Sequence, residues 1–140
     1  MDALIEARGL VKRYGRRTAV RRIDLEVTPG EVVAVIGPNG AGKTTTLEMM
    51  VGIRRPDEGR VTYRLPNPRR DMGVQLQATP FFPGLTAAEN VQIFAAFYGI
   101  RLSPAQAVEV LDSCGLGDAA HTEAARLSGG QQKRLAIALA

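Results

Sequence analysis

The residues that constrain the fold most are Gly37-Pro38-Asn39-Gly40-Ala41-Gly42-Lys43-Thr44. They fit G-x-x-x-x-G-K-[ST], a loop that curls its backbone around a chain of phosphates. Several anionic oxygens need many donors in a small space. Backbone N–H groups supply them only where no Cβ intrudes, which is the use of Gly37, Gly40 and Gly42. The segment ahead, "EVVAVI", is short and continuously apolar after its glutamate, as a strand covered on both faces should be. The segment behind, "KTTTLEMM", reads as a helix that stops near Gly52. A helix starting there aims its free N–H groups and positive dipole end at the loop. Lys43 adds a full charge for the terminal phosphates. Thr44 offers a hydroxyl to Mg²⁺ and Thr45 another near the first phosphate. A nucleoside triphosphate is the expected ligand.

The remaining chain alternates strand and helix signals. "ALIEARGL" and "RIDLEV" read as strands, with turns at Gly15 and at Pro29-Gly30. "RRPDEGR" reads as a turn, and "VTYRL" and "MGVQLQ" as further strands. "LTAAENVQIFAAFYG" opens with Thr86 and Glu89 in capping-box spacing and closes at Gly99. "SPAQAVEVLDSCG" repeats the pattern: Ser103 as cap, Pro104 at the first helical position, Gln106 closing the box, Gly115 after the end. Ser128 caps a last helix through "GGQQKRLAIALA". That helix runs to Ala140 without a stop signal, so the chain is expected to be a fragment of a longer protein.

A length of 140 residues fits one domain. The net charge of +4 comes mostly from arginine, clustered at Arg13, Arg16, Arg17, Arg21 and Arg22. No aromatic residues interleave, so the cluster reads as a solvated basic face, with no nucleic-acid partner. The single cysteine, Cys114, allows no internal disulfide and is expected to be buried as a small hydrophobe. The N-terminus is no secretory signal, and no apolar run nears the roughly 20 residues that span a bilayer. A cytoplasmic location is expected, with any membrane link made through a partner.

"LSGGQQKR", residues 127–134, resembles the signature sequence of the ATP-binding cassette (ABC) family. The resemblance spans the chain: "VKRYGRRTAV" is similar to the segment whose aromatic stacks on adenine, "GPNGAGKTT" to the family's phosphate loop, and "GVQLQATPFFPGLTAAEN" to its Q-loop region. It implies an α/β P-loop NTPase fold with a mostly parallel sheet, an N-terminal antiparallel β piece and a helical subdomain across about residues 86–127. Residues 1–140 would be one nucleotide-binding domain, incomplete at its C-terminus. By matching position, Tyr14 would stack on adenine. Gly37, Asn39, Gly40, Ala41, Gly42, Lys43, Thr44 and Thr45 would hold the phosphates of ATP and Mg²⁺. Gln77, rather than nearby Gln75, would contact Mg²⁺ and the attacking water, and report nucleotide state to a transmembrane permease. Ser128, Gly129, Gly130 and Gln131 would close on the ATP of a second cassette in a head-to-tail dimer. The protein would sit peripherally at the inner face of the cell membrane. Phe81 and Phe82 read either as a loop tip meeting the permease or as a local cluster covering the core. His121 matches no catalytic position and reads as a surface residue.

Hydrolysis also needs a carboxylate on Mg²⁺ and a group that positions water. In the family these lie on an apolar strand ending Asp-Glu (Walker B) and on a later histidine. The only adjacent Asp-Glu pair here, Asp57-Glu58, sits in a turn, and Asp112 lies on a helical pattern. The 140-residue chain alone is therefore expected to bind ATP weakly and to hydrolyse it negligibly. The function implied is the ATP-binding subunit of an ABC transporter. The direct step from "FFPGLTAAEN" to "FAAFYGI" resembles exporter-type cassettes. The alternatives are an ABC ATPase without a membrane partner and a nonfunctional remnant.

Overall fold

The computed structural model describes residues 2–75 and 81–140. They divide into two compact units, Met1–Met72 and Gly73–Ala140.

In the first unit, β1 (Ile5–Tyr14) and β2 (Arg17–Val27) form an antiparallel hairpin turning at Gly15. β3 (Glu58–Tyr63) pairs antiparallel with the other edge of β1, so the order is β2-β1-β3. α1 (Lys43–Met50) lays its C-terminal turn on this sheet. Ala7, Leu10, Val20, Met49 and Met50 make the core between them. Gly52, at φ 77°, ends α1 as the sequence predicts. A short helix α2 (Pro68–Asp71), with proline in its first turn, has no hydrophobic period to announce it.

The sheet departs from expectation in one respect. Residues 31–36 form no strand and no part of a covered layer: Val32 is 94% and Ile36 89% exposed. Strand sequence is not enough, because a strand's N–H and C=O groups need a partner chain. Among the described residues β2 and β3 end the sheet on either side and neither pairs with this segment. The mostly parallel sheet is thus not formed among the described residues. "MGVQLQ" is likewise not a strand over 72–75, and its remainder lies outside the described residues.

The second unit is helical: α3 (Ala87–Phe97), α4 (Pro104–Ser113) and α5 (Gly129–Ala138), with single 3-10 turns at Gly117–Ala119 and Ala124–Arg126. All three helices start in full capping boxes, Thr86/Glu89, Ser103/Gln106 and Ser128/Gln131. Ala87, Val91, Ala107, Leu111, Leu116 and Leu135 are among the residues of one core. Asn90 is fully buried there and fully bonded: its Nδ2 donates to the carbonyls of Phe82, Leu85 and Thr86, and its Oδ1 accepts from the Phe82 N–H at 2.7 Å. Cys114 is only half-buried, a correction to its expected burial: it is the residue at the C-terminal cap of α4, where the chain leaves the helix.

Candidate functional site

The phosphate loop is built against β2. Gly42, at φ 87°, is the residue from which α1 starts, and a Cβ there would stand 2.3 Å from the Ala19 carbonyl oxygen. No other residue fits, sterically or conformationally. Gly40, at φ 82°, turns its carbonyl to the Arg17 guanidinium, which donates to it at 3.1 Å. Lys43 folds back over the loop. Its Nζ donates to the carbonyls of Gly37 at 2.8 Å and Pro38 at 2.9 Å. An ammonium has three donors, so one remains for an anion.

The start of α1 is otherwise open. No side chain caps it and no acid stands in its first turn. The N–H groups of the first turn have no intrahelical acceptor by construction. Thr44 is exposed there, and its hydroxyl has no hydrogen-bond partner among the described residues. Beside the loop lies a cavity of about 700 Å³, lined by Arg16, Arg17, Arg21, Gly40 and Ala41. The arginine cluster is exposed, as the sequence predicts, and three of its members line this open space beside the loop. The cluster is visible in the sequence, but nothing local indicates that Arg17 reaches Gly40.

Tyr14 ends β1 and is 44% exposed. The Arg54 guanidinium lies over its ring, 5.5 Å from the centroid. Arg54 Nε donates to Glu48 Oε2 at 2.6 Å, and this bond raises the Arg54 pKa still further. The Asp57-Glu58 pair is committed elsewhere. Asp57 accepts from Lys12 Nζ at 2.8 Å and from the Arg13 N–H at 2.7 Å, and Glu58 pairs with Arg13. The Lys12 bond, then the Arg13 N–H, hold the Asp57 carboxyl below its ordinary range. These carboxylates tie the 54–57 turn to β1 and do not face the loop as metal ligands. Among the described residues no group of three or more His, Cys, Asp or Glu side chains could hold a metal ion.

In the second unit, Ser128 Oγ accepts from the Gln131 N–H, and Gln131 Oε1 accepts from the Ser128 N–H at 2.9 Å. Gly129 and Gly130 are exposed and take ordinary negative φ, and a Cβ added at either would meet no atom within 4 Å. Neither backbone nor neighbours require glycine at either position. Glycine is a poorer helix former than alanine, by up to about 1 kcal/mol in a helix interior. Gln132 and Arg134 hold the helix in place by donating to the carbonyls of Ala124 and Gly115. Gln77 lies outside the described residues; Gln75 is exposed. Phe81 packs half-buried on the helical core, while Phe82 is 45% exposed with its ring 6.1 Å from that of Phe94. His121 is exposed. The sequence reading does not single out Asn90, although one amide on the apolar face of α3 is an available signal.

A family model described as ABC transporter matches residues 20–140. The chain is 38% identical over 139 residues to the "Fe(3+) ions import ATP-binding protein FbpC" of Brucella abortus, covering 94% of this chain and 39% of that protein. It is 37% identical over 151 residues to the "Nod factor export ATP-binding protein I" of Cupriavidus metallidurans, covering 100% of this chain and 49% of that protein. The chain thus spans half or less of the length of these two relatives. The solved structure of cbiO1 from Clostridium perfringens, titled as part of the ABC transporter complex cbiONQ, is similar with a TM-score of 0.81 and 25% identity, over 99% of this chain and 61% of that one. Among the described residues no helix is long and apolar enough to cross a membrane.

Proposed function

The chain belongs to the ABC transporter family, and from that premise we propose that it is part of an ATP-binding subunit that couples ATP binding and hydrolysis to movement of a solute through a separate permease. One observation carries the reading: α1 starts uncapped at Gly42, pressed on the Ala19 carbonyl, with Lys43 folded over a loop of exposed backbone. The phosphates would take the free N–H groups of α1 and the third donor of Lys43. Mg²⁺, when bound, supplies charge neutralisation between the terminal phosphates. Thr44 fits it, with an exposed hydroxyl on the first turn that has no hydrogen-bond partner among the described residues, and Gln77 is the second proposed ligand. Tyr14 offers its ring to adenine, and Gly37, Asn39, Gly40, Ala41 and Thr45 complete the cradle.

The signature segment supports a second cassette as partner. Gly129 and Gly130 give up helix stability without any local need, which makes sense if something must approach their N–H groups closely. We read that as the ATP of the facing subunit, in a homo- or heterodimer. The hydrolytic carboxylate is not supplied by Asp57 or Glu58, which are bonded to Lys12 and Arg13. We therefore propose that residues 1–140 alone turn ATP over negligibly. Export is the direction proposed, from the step between "FFPGLTAAEN" and "FAAFYGI"; the relatives include an importer and an exporter by name.

Photocrosslinking with an azido-ATP tests the site. Label is expected on Tyr14 and residues 37–45, and label confined elsewhere would overturn the reading. Co-purification with a polytopic membrane protein is expected of a transporter subunit, and would not occur for an ABC ATPase without a membrane partner.

A further inference from the structure

The sequence offers Tyr14 as a bare strand-end aromatic. The structure gives it a backing. Arg54 lies over one face of the ring, 5.5 Å from the centroid, a distance at which a guanidinium and an aromatic quadrupole attract. Arginine on an exposed turn ordinarily samples many rotamers. This one is returned twice to a single residue: its side-chain Nε donates to Glu48 Oε2 at 2.6 Å, and its main-chain N–H donates to the Glu48 carbonyl at 3.0 Å. Glu48 belongs to α1, the helix that begins at the phosphate loop. The turn that carries Arg54 is fixed from its other end as well. Lys12 Nζ donates to the Arg55 carbonyl at 2.9 Å and to Asp57, and the Asp57 N–H donates to the Val11 carbonyl. Glu48, Arg54 and Tyr14 thus form one bonded path from the helix that would hold phosphates to the ring that would hold a base.

We propose that Arg54 is a positioning residue for base recognition: anchored on Glu48, it fixes the Tyr14 ring at a set distance from the phosphate loop and leaves the opposite ring face for a flat purine. This rests on the reading of Tyr14 as the base platform. A rigid platform lowers the ordering cost of stacking, and a cation on the rear face keeps the ring from rotating onto the turn. The arrangement acts on the base alone. It has no contact with the loop carbonyls that Lys43 and Arg17 take.

The test compares ATP with inorganic tripolyphosphate, which carries the charge and lacks the base. Binding of each is measured to the whole ATP-binding subunit that would contain this chain, unmodified and as the Arg54→Ala, Arg54→Lys, Glu48→Gln and Tyr14→Ala variants. Arg54→Ala is expected to weaken ATP about three- to tenfold and to leave tripolyphosphate unchanged. Arg54→Lys recovers part of the loss, and Arg54→Ala adds nothing once Tyr14→Ala is present. Parallel loss of both ligands would show an ion pair that only stabilises the turn, and would overturn the proposal; so would ATP affinity that does not move, or losses that add. If the unmodified protein binds tripolyphosphate as tightly as ATP, the Tyr14 reading fails and Arg54 with it. If it binds neither, the nucleotide reading itself fails.

Discussion

α1 and α5 both begin beside glycine, yet the two starts are built on opposite terms. At α1 the glycine is compulsory: Gly42 has positive φ and no room for a Cβ, and no side chain caps the helix. At α5 the cap is complete within the chain, through Ser128 and Gln131, while Gly129 and Gly130 stand in open space with ordinary φ. The first start is shaped by the fold around it and left without a side-chain cap. The second is finished already, and its glycines keep a surface low. Glycine in a sequence motif can therefore mean a backbone that has no alternative or a surface kept clear, and only the folded chain separates the two.

The comparison breaks most readily at Gly42. Gly42→Ala is expected to cost about 2–4 kcal/mol, from positive φ plus the collision with Ala19, read as a fall in melting temperature. A variant as stable as the parent would remove the contrast. Next is Lys43→Ala in the longer subunit that would contain this chain: it deletes a charge-assisted contact of about 1.5–3 kcal/mol, so that ATP affinity measured by calorimetry falls roughly ten- to hundredfold. At the other start, Ser128→Ala is expected to destabilise by about 1 kcal/mol in chemical denaturation. Gly130→Ala should stabilise by about 0.5–1 kcal/mol while impairing ATPase turnover in the assembled transporter. Destabilisation by Gly130→Ala would mean the glycine serves the fold after all.

The smallest effect concerns acid. Glu89 accepts the Thr86 N–H at 2.7 Å and the Thr86 hydroxyl at 2.8 Å, and these bonds hold its carboxyl below the ordinary range. A depressed pKa contributes stability above the unfolded value and loses it as pH falls through the folded one. α3 should thus fray at its start on acidification below about pH 4. α4 and α5 close their boxes with Gln106 and Gln131, which do not titrate, and should not fray. Amide exchange of the three first turns between pH 6 and pH 3 reads the difference.

What is legible in the sequence is local. The capping boxes at Thr86/Glu89 and Ser103/Gln106 need residues three apart and both form, while at Ser128 the cap is legible and the structure adds its Gln131 partner. Gly15, Gly52, Gly99 and Gly115 end elements at positive φ where the pattern places them. The phosphate loop is legible because its spacing is its mechanism. What fails is non-local. "EVVAVI" has strand composition, but pairing depends on chain elsewhere. Arg17 on Gly40, Arg54 on Tyr14 and Lys12 on Asp57 join residues 23, 40 and 45 positions apart, and no periodicity reports such pairs. Asn90 is hidden for the opposite reason: an amide on an apolar helix face looks like an error until its four bonds are counted.

The unpaired run ahead of the phosphate loop has a practical corollary. Val32, Val33 and Ile36 present β-branched surface on a segment with no proline after Pro29 and a single charge at Glu31. Such a stretch is a template for a second copy of itself. Losses to precipitate should then climb faster than linearly with concentration. Whatever strand reaches residues 31–36 first, from its own polypeptide or from another, decides between folded protein and aggregate.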